Sequence, residues 1–254
     1  MRTPAIIATA MARTATDVVR QPQSRHRDRF CAPRLWSFLL LLPGCVSTGP
    51  TLAPDEIADR DVFLPKGARA GMHLRWRITG TDVVEEEWAC VPGSAGSLTI
   101  ERREVRADGS RTVTAARFAA DGTVLGVWRG PPGGRAQRLR IVPSDAAATV
   151  AKANALGREH GVSATADQEV AEETIATAAG PIACTRQRTT ASAWFVSGTF
   201  TSWHARDPLP LSQLVRFEAD MIGWHELQEL VAHGTTGAVP TLPIPADDPA
   251  TVPR

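Results

Sequence analysis

The sequence predicts a mainly β fold of the α+β kind: an antiparallel sheet accompanied by one or two short helices. Three observations carry that expectation. Apolar residues recur with period two through most of the hydrophobic segments. Asp108-Gly109 and Asp121-Gly122 sit between such segments and are strong hairpin signals. Helix-like composition is confined to two stretches.

In chain order, residues 73–79 put Leu74, Trp76 and Ile78 on one face and His73, Arg75 and Arg77 on the other. Gly80-Thr81-Asp82 reads as a turn into a strand over residues 83–90. Strands over 98–106, 112–118 and 123–128 follow, joined by the two Asp-Gly turns, which makes a meander. Residues 144–156 break the pattern. Ser144 can cap, the segment is rich in Ala, and Gly157 can end it, so a short helix is expected there. Residues 167–179 are ambiguous, because Glu and Ala favour helix while Val170, Thr174 and Ile175 suit a strand. Strands resume over 182–188, 194–204, 214–219 and 224–231.

Composition narrows the function classes. The chain has 254 residues, with 28 Lys+Arg against 27 Asp+Glu and a formal net charge of +1. Such a balance excludes nucleic-acid binding through a basic face. A hydrophobic share of 43% with 22% charged residues excludes disorder over the whole length. All basic residues but Lys66 and Lys152 are arginine, and there is no Tyr, a bias of GC-rich codon usage rather than of a binding surface.

An address precedes the domain. Residues 35–42 form an apolar run far shorter than the ~20 residues a spanning helix needs. Arg25, Arg27, Arg29 and Arg34 precede it, as in a secretory signal. The run ends in Leu42-Pro43-Gly44-Cys45, which resembles the lipobox of bacterial lipoproteins, with Pro43 departing from the usual small residue. The resemblance implies that residues 1–44 are a signal peptide, that Cys45 is lipidated, and that the protein meets the membrane through that anchor. Residues 1–24 exceed an ordinary signal, so a translation start placed too far upstream is expected. Val46 is not the Asp that retains some lipoproteins at the inner membrane, which favours the outer membrane under that sorting rule.

With Cys31 in the signal and Cys45 lipidated, Cys90 and Cys184 remain, and an oxidising envelope would let them form a disulfide. Two separately buried thiols are the alternative. Residues 45–62 read as a flexible tether, residues 63–234 as one β-rich domain, and residues 235–254 as a disordered or polyproline-like tail with five prolines.

Two further stretches, Gly180-Pro181-Ile182-Ala183-Cys184 and Thr201-Ser202-Trp203-His204 with Asp207-Pro208, are followed by Val215-Arg216 and Glu226-Leu227. In this order they resemble a loose group of envelope lipoproteins of unknown function, similar in outline to the half-barrel lipoprotein-localisation carriers. The resemblance implies a curved sheet whose concave apolar face can hold a lipid or another apolar chain. Trp76, Trp88, Trp128, Trp194, Trp203 and Phe217 are enough to fill a core, which is the default reading, and in an open, curved sheet they are the candidates for that face.

Motifs for chemistry fail one by one. His225-Glu226-Leu227-Gln228-Glu229 begins like a zinc-protease helix but has Glu229 where the second histidine belongs. The Gly-rich residues 130–135 lack the Lys-Ser/Thr of a phosphate loop, and residues 93–96 are too short for a nucleophile elbow. Glu85-Glu86-Glu87 splits between two faces of a strand, and Glu101 and Glu104 neutralise Arg102, Arg103 and Arg106. No catalytic residue, metal or cofactor is expected. The reading is a non-enzymatic envelope lipoprotein that binds a lipid or other apolar ligand. The alternatives are an assembly accessory acting by protein contacts and, least supported, a hydrolase.

Overall fold

A computed structural model of the protein describes residues 52–144, 164–193 and 196–245. Period-two patterning becomes alternating burial: along His73–Thr79, Leu74, Trp76 and Ile78 are buried while Arg75 and Arg77 are exposed. In chain order the strands are β1 (Glu56–Ala58), β2 (His73–Thr79), β3 (Val83–Pro92), β4 (Leu98–Arg106), β5 (Arg111–Phe118) and β6 (Val124–Gly130). They continue as β7 (Gln137–Val142), β8 (Ala164–Thr177), β9 (Gly180–Ala193), β10 (Val196–Ala205), β11 (Leu214–Met221) and β12 (Trp224–Gly234).

All twelve belong to one sheet in the order β1-β7-β6-β5-β4-β3-β2-β12-β11-β10-β9-β8. Every ladder is antiparallel except β1 with β7, which makes the sheet mixed rather than purely antiparallel. The sheet is open and curved. β8 and β12 stand four places apart, which is about 19 Å across a flat sheet, yet their Cα atoms approach within 8 Å.

Both Asp-Gly turns act as the sequence predicts. Gly109 and Gly122 take positive φ of 81° and 87°, and the carboxylates of Asp108 and Asp121 accept the backbone N–H two residues on, from Ser110 and Thr123. The ambiguous stretch at 167–179 lies mostly in β8, which pairs with β9 from Ala164 to Thr177. An unbroken ladder of that length outweighs the helical leaning of its Glu and Ala residues. Among the described residues the only helical pieces are single 3-10 turns at Asp59–Asp61 and Ser94–Gly96. The helix expected over 144–156 lies, Ser144 apart, outside the described residues.

Two boundaries differ from expectation. The tether was expected to run to residue 62, but β1 pairs with β7 and buries Ile57 and Ala58. Ile57 joins Val127 and Leu139 in one cluster, and the Asp59 carboxylate accepts from the Ser144 backbone at 2.9 Å. Folded structure also continues past Gly234. Residues 235–245 run back across β4–β6, with Leu242 only 3% exposed. Pro240, Pro243 and Pro245 cannot donate to a ladder, but Thr241 and Leu242 between them keep their N–H groups, and both donate to Glu101. Proline density therefore excludes a strand here without excluding a docked, extended segment.

Gly80 closes the β2–β3 turn at φ +89°, and a Cβ there would lie 1.7 Å from the His225 carbonyl oxygen. Gly80→Ala is predicted to destabilise the fold by at least ~2 kcal/mol, combining left-handed strain with backbone displacement. A urea midpoint unchanged from the parent protein would contradict this.

Candidate functional site

Strand alternation divides the candidate aromatic residues between surfaces. Trp88 faces Leu74 and Arg102 across its two ladders. Trp128 faces Ala115, which is level with Glu101 and, through it, with Ala89. Trp88 and Ala89 are adjacent on β3 and point to opposite faces, so Trp88 and Trp128 do too. The expected single apolar face is corrected accordingly. Trp76, Trp88 and Trp203 share one cluster, Phe217 packs with Phe200, Leu214, Ala219 and Met221, and Trp128 packs with Val113, Ala115 and Leu242. Trp194 lies outside the described residues.

The Trp76 cluster is filled. Trp76 and Trp88 meet edge to face at 5.8 Å, and Phe63 meets Trp88 at 5.6 Å. Phe63, Leu64, Ala68 and Met72 from the segment before β2, and Leu209 and Leu211 from the β10–β11 loop, pack against it. Each indole N–H has an acceptor: Trp76 donates to the Leu214 carbonyl at 3.2 Å, Trp88 to Glu86, and Trp203 to Glu173. Trp76 is 2% exposed and Trp203 8%, so these rings are core rather than the lining of an open groove.

Cys90 and Cys184 both belong to this cluster, fully buried, and the structure holds them as free thiols without the expected bridge. Buried thiols are compatible with an apolar core, where cysteine packs as a small hydrophobe. Burial pushes each thiol up to about 11, with Glu173 adding to the effect at Cys184. Cys45 lies outside the described residues.

Acidic groups also enter the inner layer. Glu86 is 2% exposed and accepts from Arg102 at 2.9 Å as well as from Trp88. Glu226 is 1% exposed, and its Oε2 has no hydrogen-bond partner. Burial first, and the neighbouring Glu86 second, push the Glu226 carboxyl up to about 7. The failed zinc motif lies on β12, where His225 and Glu226 point to opposite faces. The overlooked signal was the alternation Glu226, Gln228, Leu230, which continues the buried side of the strand. Among the described residues no group of three or more His, Cys, Asp or Glu is arranged to hold a metal ion.

The most developed polar site is on the opposite face. Glu101 is 0% exposed and sits among β3–β5. Its carboxylate accepts from Arg103 Nη2 at 2.8 Å, from the Thr241 hydroxyl at 2.7 Å, from the Thr241 N–H at 3.0 Å and from the Leu242 N–H at 3.2 Å. Arg103 also donates to Glu87 at 2.8 Å and to the Val239 carbonyl. Arg117 donates to the Pro245 carbonyl at 3.1 Å, and Gly133 donates its N–H to the Thr241 carbonyl at 2.8 Å. The Leu242 side chain enters the recess of Val113, Ala115 and Trp128, with Arg117 stacked 5.2 Å from the Trp128 ring. Gly130 leaves the space for it, since a Cβ there would lie 3.2 Å from Leu242 Cδ1. Glu101 and Arg103 do more than neutralise each other: both hold the strap. Their role depends on a contact across about 140 residues of chain.

No family model and no curated protein matches the chain. Two solved structures match over 68% of this chain and 99% of theirs. One, provisionally described as an exported protein with a YmcC-like fold, is from Bacteroides fragilis, at 15% identity and a TM-score of 0.27. The other, provisionally described as a lipoprotein, is from Parabacteroides distasonis, at 13% identity and a TM-score of 0.24. At these TM-scores the likeness carries no argument about function.

The buried acid makes stability depend on pH. Below its ordinary value of 4.5, Glu226 is protonated in both folded and unfolded chains. Between 4.5 and about 7 the unfolded chain releases the proton and the folded chain keeps it. Stability therefore falls as pH rises through that window, by roughly 3 kcal/mol in all. Glu226→Gln should match the parent protein in urea midpoint at about pH 4.5 and exceed it at about pH 8. An offset equal at both pH values would refute the assignment.

Proposed function

We propose that this is a lipid-anchored, non-enzymatic protein of the bacterial envelope that acts through contacts with other proteins. The observation that carries the reading is the burial of Trp76, Trp88 and Trp203 beneath the chain's own Phe63, Met72 and Leu211, which leaves the outer surfaces to do the work. The anchor rests on the basic, apolar and Gly-Cys succession ending at Cys45. A single acyl chain binds a bilayer marginally at ~0.8 kcal/mol per buried CH₂, and several hold it firmly. In an oxidising compartment Cys90 and Cys184, members of one cluster, would pair.

Two measurements test this. Cys45→Ser should abolish incorporation of radiolabelled palmitate and release the protein from membranes; persistent labelling refutes the anchor. Native mass spectrometry of that released variant should give the bare chain mass, lighter by two hydrogens than after reduction. A co-purifying lipid would replace the contact reading with the apolar-ligand one, and an unreduced mass equal to the reduced one removes the bridge.

A further inference from the structure

We propose that the groove across β4–β6 is a peptide-binding site, and that the Val239–Pro245 strap is its tethered ligand, displaced by an extended, proline-bounded segment of a partner protein. The proposal builds on the protein-contact reading and names the surface.

Recognition in this groove is directed at an extended backbone. Glu101 takes the N–H groups of Thr241 and Leu242, Arg103 and Arg117 hold the carbonyls of Val239 and Pro245, and Gly133 holds the carbonyl of Thr241. Three side chains are read: the Thr241 hydroxyl by Glu101, and Leu242 and Ile244 by the apolar recess beside Trp128. Prolines on either side keep the segment extended at little entropic cost and carry no N–H that the groove must satisfy. An aromatic-lined groove that holds such a segment is a recurring mode of peptide recognition.

The ion pair beneath it argues for recognition over simple packing. A fully buried carboxylate is costly, and an apolar side chain of similar volume would hold a permanent plug at least as well. Glu101 instead directs both oxygens at backbone donors of the strap. The groove itself is made of strands paired without the strap, because β4, β5 and β6 pair with one another and β4 with β3. The strap reaches it through Thr235–Gly237, which is exposed. The partner chemistry follows from the occupant: a hydroxyl residue followed by leucine, with a second aliphatic residue two positions on and prolines between and around them.

The test uses the full chain with a specific protease site inserted at the exposed residues 235–237. A fluorescein-labelled peptide of the sequence of residues 239–245 is titrated by fluorescence anisotropy against intact and cleaved protein. Cleaved protein should bind it saturably, and intact protein should bind about tenfold or more weakly, because the tethered strap competes at millimolar effective concentration. A peptide with Asp in place of Leu242 should not bind. The proposal is overturned if cleaved, folded protein takes up no peptide, if intact and cleaved protein bind equally, or if cleavage unfolds the protein, since the strap would then be an obligatory part of the core. Each of these failures leaves the native mass result, and with it the broader contact reading, standing.

Discussion

The ladder between β2 and β12 holds the architecture together. It joins the meander β2–β7, with β1 at its far edge, to the second run β8–β12, and it pairs Thr79 with Leu227 and Trp76 with Leu230. No other ladder connects the two halves among the described strands. Its residues are some 150 positions apart, so chain closure must be complete before this ladder contributes, which is the hallmark of slow, non-local β folding. Gly80 lets β2 turn away beside the backbone of His225, and the register shift between Leu230 and Ala232 bends β12 where the sheet curls.

The curl then decides what each face can do. It brings Cys90 of β3 and Cys184 of β9 into one cluster with Trp76 and Trp203, and loops before β2 and after β10 complete the packing. The polar atoms drawn into that layer are mostly paired: Glu86 has Trp88 and Arg102, and Trp76 has the Leu214 carbonyl. Arg102 Nε and Glu226 Oε2 are exceptions, and for Glu226 retaining its proton is the cheaper way to stay buried. On the outer side the equivalent polar investment, Glu101 with Arg103, is fully used by a segment from the end of the chain.

Strand identity and turns were legible because they are local. Leu74, Trp76 and Ile78 declare their face by alternation, and Asp108-Gly109 and Asp121-Gly122 declare their turns by the φ they permit. β7 was not legible, since only Leu139 of its six residues is buried and edge pairing leaves no periodic mark. β1 was hidden within a polar, Pro-containing stretch that pairs with a strand over 80 residues away. The strap groove was illegible for the same reason: nothing near Glu101 indicates that its hydrogen-bond donors come from Thr241 and Leu242.

By itself the sequence determined a β-rich fold, the positions of its hairpins and a near-neutral charge balance, and it raised the expectation of a lipobox ending at Cys45. The fold class, the hairpins and the lipobox-like segment depend on residues close together in the chain, and the charge balance on a sum over it. Only the tertiary structure decided that Trp128 faces away from Trp76, that the Trp76 cluster is covered by its own loops, and that residues 239–245 are docked instead of loose. Those outcomes depend on strand order and curl, which set which distant residues meet, and no local period encodes them.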